Sequence, residues 1–236
     1  MDAVINLDKP AGITSFKAVD IIRKMLGIKK AGHAGTLDPM ATGVLIVCLG
    51  KACKFSSSLM ASDKEYEAEI TFGISTDSGD SDGKVTQNSK VSLGEDDVRH
   101  AVKSFIGEIE QVPPMVSAIH HKGKRLYELA RKGISVERNS RKVKINGMEF
   151  LGFTSGDHPK ARVLVSCSKG TYIRTLCEDI GKKLGVPAHE SYLRRTKSGA
   201  FDVRDSRTLE DIRKLYENGR LEEALIHDYK KTDRRP

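Results

Sequence analysis

The sequence predicts an α+β fold, a single domain over residues 1–236 with a substantial sheet, flanking helices and an inserted basic segment. Three observations predict it. From Glu65 to Phe72 the chain alternates strictly, with Tyr66, Ala68, Ile70 and Phe72 on one face and Glu65, Glu67, Glu69 and Thr71 on the other, the signature of a half-buried antiparallel strand. Ile173, Leu176, Cys177, Ile180 and Leu184 recur at spacings of three and four, which makes 172–184 an amphipathic helix. Between Ile119 and Lys144 nine basic residues face two acidic ones, so seven of the chain's eight net positive charges lie in one segment. At 236 residues the chain can bury a core without disulfide or metal staples.

In chain order, Ala3 to Leu7 reads as a strand. Thr14-Ser15 then caps a helix whose apolar positions are Phe16, Val19, Ile22 and Leu26, ending at Gly27. GHAGTLDPMATG, residues 32–43, holds three glycines and an Asp-Pro step and is expected to be a loop. It leads into the buried run VLIVCL, the alternating strand and the polar loop STDSGDSDG. A helix from about Glu95 to Ile106 would pack Val98, Val102, Phe105 and Ile106. The basic segment contains Gly123, Gly133 and a short amphipathic stretch around Leu126, Leu129 and Ala130. A solvated helix face and a mobile arm that grips an anion both fit it. Strands at Val143–Phe150 and Arg162–Cys167, the 172–184 helix, a strand at Tyr192–Lys197 and a helix at Leu209–Tyr216 follow, and the tail DYKKTDRRP is expected to fray.

The longest apolar run, Val44–Leu49, is far too short to span a bilayer, and MDAVINLDKP has no basic start leading into an apolar stretch. A cytoplasmic protein without a membrane partner is expected. The four cysteines form no CxxC, the histidines lack metal-ligand spacing, and reduced thiols without a metal are expected. Between Gly43 and Gly50-Lys51 six residues intervene where a phosphate loop needs four, and Ala52 replaces its Ser or Thr. With Gly83 at the sixth place of a calcium loop, the first and twelfth ligands would be Ser78 and Ser89, neither a carboxylate. In Lys169-Gly170-Thr171-Tyr172, Thr171 stands where an RNA-recognition strand needs an aromatic. No nucleotide, metal or other cofactor is expected.

Asp38 remains, in GHAGTLDPMATGVL. An Asp before a proline ordinarily makes a turn, yet a glycine-rich loop just before a buried strand can also present a reactive carboxylate at the mouth of a cleft. These residues alone leave both readings open and name no reaction.

The blocks VINLDKPAGITSFKAV, GHAGTLDPMATGVL, KEYEAEITFGISTDSGD, SKGTYIRTLCEDIG and YLRRTKSGAF, in this order and spacing, resemble the TruB family of tRNA pseudouridine synthases over nearly the whole chain. The resemblance implies the pseudouridine synthase fold, a mixed, mainly antiparallel sheet with flanking helices. It also implies isomerisation of a uridine in the tRNA T loop, position 55 of the tRNA, without cofactor or metal. It assigns Asp38 as the catalytic carboxylate, attacking the sugar, attacking the base or taking a sugar proton. Tyr66 would stack on the flipped uracil near the atom that finally loses a proton, and Arg174 would pair with Asp38. His33, Tyr172 and Leu193 would line the nucleotide pocket, with Lys9 and Pro10 supporting it. The basic segment 119–144 corresponds to the family's thumb, which closes on the RNA. Read without the resemblance, Tyr66 is equally a core aromatic, Arg174 a surface helix residue and Lys9 a solvated turn lysine.

Family members commonly carry a C-terminal RNA-binding domain of the PUA type. The sequence ends at Pro236 soon after the last helix, so no such domain is expected and the T arm is the expected tRNA contact. A guide-RNA-dependent catalytic subunit and a non-catalytic tRNA-binding or folding module are the alternative functions. Nothing in the sequence demands a dimer, and a monomer is expected.

Overall fold

A computed structural model describes residues 1–117, 120, 121, 123–130 and 133–229. The chain forms β1 (Ala3–Lys9), α1 (Ser15–Met25), β2 (Ala31–Ala34), β3 (Thr42–Leu49), α2 (Ser56–Met60), β4 (Lys64–Phe72), β5 (Ile74–Thr76), β6 (Val85–Asn88), α3 (Glu95–Lys103) and β7 (Gly107–Gln111). It continues through β8 (His120–His121), β9 (Lys124–Arg125), α4 (Leu126–Ala130), β10 (Arg141–Thr154), β11 (Lys160–Cys167), α5 (Ile173–Lys183), β12 (Ala188–Ser198), β13 (Phe201–Asp202) and α6 (Leu209–Glu217). Two compact units result, residues 1–67 with 193–236 and residues 68–192, and the chain passes between them within β4 and β12.

In the first unit, β3 is the central strand. One edge pairs antiparallel with β1, from Ala3↔Leu49 to Lys9↔Gly43. The other edge is shared by β2, antiparallel from Ala31↔Leu49 to Ala34↔Ile46, and by β12, parallel at Arg194↔Thr42 and Arg195↔Gly43. Such pairing explains why VLIVCL is apolar throughout: both faces of β3 are covered, and the whole run is buried. Val4, Ala34, Val44, Ile46, Cys48, Ala52, Leu59, Phe201 and Tyr229 form one apolar cluster. Tyr229 meets Phe55 edge-on at 5.5 Å between ring centroids, so the tail expected to fray begins as part of the core, and residues 230–236 lie outside the described residues. One apolar residue in a charged tail carries no periodic signal.

The second unit orders its strands β12-β4-β11-β10-β7. Strand β10 pairs antiparallel with β11, from Ile145↔Cys167 to Thr154↔Lys160, and with β7, from Arg141↔Gln111 to Ile145↔Gly107. On β4 the alternation reads in burial as far as Ile70: Tyr66, Ala68, Ile70 and Phe72 are inside, and Glu65, Glu67 and Glu69 are half-buried. Thr71, expected on the glutamate face, is buried as well, its hydroxyl donating to Ser191 Oγ (2.8 Å). Helix α5 buries Ile173, Leu176, Cys177 and Ile180 as the periodicity requires, and Arg174, Thr175 and Gly181 with them. A Cβ at Gly181 would stand 2.5 Å from the Ala188 Cβ, so this helix can approach the start of β12 only with glycine there.

Four further expectations need correction. Phe16 is 76% exposed; the buried face of α1 is Ser15, Ala18, Val19 and Ile22, because the Ser15 hydroxyl takes the inward place to hydrogen-bond Leu37. Residues 32–34 of the glycine-rich stretch are not loop but belong to β2, paired with β3. Helix α3 ends at Lys103, where the Ser104 hydroxyl donates to the Ala101 carbonyl at 2.6 Å, and Ile106 is left 47% exposed. Strand β7, which follows, was not anticipated: its alternation covers only five residues. Of the basic segment, Lys122, Arg131 and Lys132 lie outside the described residues. No described helix is long and apolar enough to cross a membrane.

Candidate active site

Asp38 sits half-buried between β2 and β3, on a segment whose backbone is fastened at every carbonyl from Gly35 to Pro39. Arg195 donates from Nη2 to the Gly35 carbonyl (3.0 Å) and from Nη1 to that of Thr36 (3.4 Å). The Ser15 hydroxyl donates to the Leu37 carbonyl (2.9 Å) and accepts from the Leu37 N–H (2.8 Å). The Asp38 carbonyl accepts from the Ala41 N–H, and the Pro39 carbonyl accepts from the Gly12 N–H (2.9 Å) and from Lys9 Nζ (3.2 Å). Lys9 is wholly buried at the end of β1, and its ammonium also donates to the carbonyls of Pro10 and Ile13, each at 2.8 Å. Its ammonium thus ties the Pro10, Ile13 and Pro39 carbonyls together beneath the loop.

The same unit holds three further candidates. His33 lies on β2, half-buried, five residues before Asp38. Tyr66 is buried on the inward face of β4, and Leu193 is buried on β12, one residue before the Arg194↔Thr42 pairing that sets β12 against β3. Arg194 in turn makes a two-pronged ion pair with Asp8, at 2.7 and 3.2 Å, beside Lys9 in sequence.

Tyr172 and Arg174 belong to the second unit. Tyr172 is the N-cap of α5, and buried Gln111 holds its backbone from both sides: Gln111 Oε1 accepts from the Tyr172 N–H (3.0 Å), and Gln111 Nε2 donates to the Tyr172 carbonyl (3.1 Å). The Arg141 guanidinium lies 4.6 Å from the centre of the Tyr172 ring, a cation–π contact that fixes the ring plane. Arg174 is not a surface residue: its side chain is 4% exposed. Its Nη1 donates to the Ser78 carbonyl (2.9 Å) and lies 3.5 Å from Asp80 Oδ2, and its Nη2 donates to the Val116 carbonyl (2.8 Å).

Two of the four thiols are held in the protonated form. Burial pushes Cys48 up to about 12 and holds Cys177 far above the ordinary thiol range, with the charge of Glu190 adding to the latter. Burial also raises Glu178, against the pull of Lys182. Among the described residues, no group of three His, Cys, Asp or Glu side chains could hold a metal ion.

Sequence reasoning missed Arg195, Ser15, Gln111 and Asp80. Their partners are backbone atoms or residues remote in sequence, and a carbonyl acceptor leaves no mark on the residue type that carries it. Asp80 alone had a local signal, the run of Ser and Asp at 75–82.

Comparison with known proteins places the chain in a family. Residues 23–173 match the family model for the TruB family pseudouridylate synthase N-terminal domain, and residues 174–229 match that for the tRNA pseudouridylate synthase B C-terminal domain. A protein of Pelotomaculum thermopropionicum named tRNA pseudouridine synthase B is 49% identical over 229 residues, covering 96% of this chain and 72% of that protein. Its namesake in Symbiobacterium thermophilum is 52% identical over 213 residues, covering 90% of this chain and 71% of the relative. Among solved structures, a chain in the crystal structure of a Cbf5-Nop10-Gar1 complex superposes with a TM-score of 0.75 at 35% identity, over 94% of this chain and 59% of that one. This chain thus spans about seven-tenths of the curated relatives and about three-fifths of the Cbf5-complex chain. With two family models covering residues 23–229 and half of all positions shared with the curated relatives, the chain belongs to the TruB family of pseudouridylate synthases.

Proposed function

We propose that the chain isomerises uridine to pseudouridine in the T loop of tRNA, at position 55 of the tRNA, with Asp38 as the catalytic carboxylate. The C1′–N1 bond breaks, a C1′–C5 bond forms, C5 loses its proton and N1 gains one. Atoms and electrons balance within the substrate, so the residues need only position, stabilise charge and move protons. The observation that carries the reading is the fastening of the backbone on both sides of Asp38: a carboxylate on a segment with all five carbonyls engaged needs no reorganisation at the moment of reaction. Tyr66 stacks on the freed uracil and stands near the proton-loss step. Arg174 is the arginine that the family resemblance assigns to the reaction. His33 and Leu193 contact the nucleotide, Tyr172 is a further nucleotide contact that the resemblance assigns, and Lys9 supports the loop. A loop uridine suits the chemistry, because extruding an already unstacked base costs only a few kcal/mol. The enzyme works as a cytoplasmic monomer on the T arm, the 119–144 segment following the phosphates.

The GHAGTLDP block, which guide-RNA-dependent relatives share, leaves a second reading, catalysis directed by a guide RNA. One experiment separates the two: incubate an unmodified tRNA transcript with the purified chain alone and map pseudouridine. The proposal expects one modified T-loop uridine. Product only after a guide RNA is added supports the second reading, and no product with or without it overturns both.

A further inference from the structure

Arg195, the second arginine of LRRT on β12, is 1% exposed and among the largest fully buried side chains of the molecule. Its guanidinium donates three hydrogen bonds, all to backbone carbonyls: Nε to Val44 (2.7 Å), Nη2 to Gly35 (3.0 Å) and Nη1 to Thr36 (3.4 Å). Among the described residues it has no carboxylate partner. Burying a cation against neutral oxygens is costly, and an apolar side chain of similar size would ordinarily serve the core better. The strands meet backbone to backbone at this residue: Gly43 has φ +96, and a Cβ there would stand 2.2 Å from the Arg195 carbonyl oxygen.

Its three acceptors bracket one segment. Gly35 and Thr36 open the loop that carries Asp38, and Val44 follows its exit into β3. A planar guanidinium with donors in a fixed fork can tie both ends of that loop to β12 at once, whereas an ammonium presents a single nitrogen. We infer that Arg195 is a positioning residue for the isomerisation: it closes the Gly35–Val44 segment into one geometry and so aims the Asp38 carboxylate, without touching the RNA. The inference rests on the proposed function.

Single-turnover rate, tRNA affinity and Tm are measured for the wild type, Arg195→Lys, Arg195→Met and Asp38→Asn. The lysine variant keeps the charge and loses the fork; the methionine variant removes the buried charge and its desolvation cost, so it folds even where the lysine variant is weakened. Both are expected to lose about a hundredfold in rate, the scale of a misplacement of about 1 Å, with tRNA affinity within a few fold. Lysine failing to rescue the rate identifies the fork, not the charge, as what matters. A folded Arg195→Met that turns over like the wild type overturns the inference, and so does a rate loss matched by an equal loss of affinity. An inactive wild type, or an active Asp38→Asn, contradicts the proposed function instead.

Discussion

The segment Gly35–Pro39 and the turn Thr76–Gly83 are both short, irregular and contain glycine and aspartate, and they are held in different ways. The turn is braced by its own side chains: the Thr76 hydroxyl donates to the Asp80 carbonyl (2.7 Å), the Ser78 hydroxyl to Asp80 Oδ1 (2.5 Å), and the Lys84 N–H to Asp77 Oδ1 (2.9 Å). Its backbone is pinned to β12 by the Ser81 N–H on the Glu190 carbonyl (3.1 Å) and the Glu190 N–H on the Gly79 carbonyl (3.0 Å). The Asp38 segment is held from afar, by side chains on β1, α1 and β12 that lie between 22 and 160 positions away in sequence. A turn so braced can serve as a fixed clamp, and this one grips Arg174 through Ser78 and Asp80. A remotely held loop makes the placement of its carboxylate a property of the whole unit, so substitutions far from Asp38 in sequence reach it.

The largest expected effect is on the remote side. Gly43→Ala puts a Cβ at 2.2 Å from a backbone oxygen at a positive φ, so β3 and β12 must part where they pair. Urea unfolding should show a loss of more than about 3 kcal/mol. Lys9→Met comes next: the Pro10 and Ile13 carbonyls lose the Lys9 donor, Pro39 keeps only the Gly12 N–H, and about 2–3 kcal/mol of stability should go with a fall in kcat. Asp80→Asn removes the charge that the turn offers Arg174. It should cost about 2 kcal/mol, since a neutral acceptor can replace the carboxylate and Arg174 keeps its two carbonyls, and kcat should fall with tRNA affinity unchanged. A larger stability loss from Asp80→Asn than from Lys9→Met would break the comparison.

The smallest effect lies outside both segments. Thr208 and Asp211 form a capping box on α6, so Thr208→Ala should cost about 1 kcal/mol and leave turnover unchanged. Hydrogen bonds from the Thr208 side chain and backbone hold the Asp211 carboxyl below the usual range. A depressed folded value means stability that is present above the unfolded carboxylate range and lost as pH falls through the folded value. The stability gap between the wild type and Asp211→Asn should therefore narrow in acid.

Much of the fold is legible because its periodicities are long. β1, α1, β3, β4 and α5 each bury one face, or both, over seven or more residues. β6 is exposed along its whole length, so nothing marks it as a strand, and β2 is masked by the glycines that let it enter the loop. At the site, the Gly and Asp-Pro pattern locates the Asp38 segment, and the DKP block points to Lys9. Thr14-Ser15 reads as a helix cap, yet Thr14 alone takes the N-cap, and Ser15, the first residue of α1, turns its hydroxyl to Leu37 in the loop. Arg195 is invisible for a related reason: it binds oxygens that every residue possesses.

The account's central claim is that Asp38 performs chemistry on a loop built to aim it, and one comparison tests this directly. Single-turnover pseudouridine formation is measured on an unmodified tRNA transcript for the wild type and Asp38→Asn, with tRNA affinity determined alongside. Asn keeps the size and can keep the backbone geometry, but it cannot act as a carboxylate. The account predicts product at one T-loop uridine for the wild type and none for Asp38→Asn, at affinities within a few fold. Turnover by Asp38→Asn at a rate near that of the wild type would contradict it.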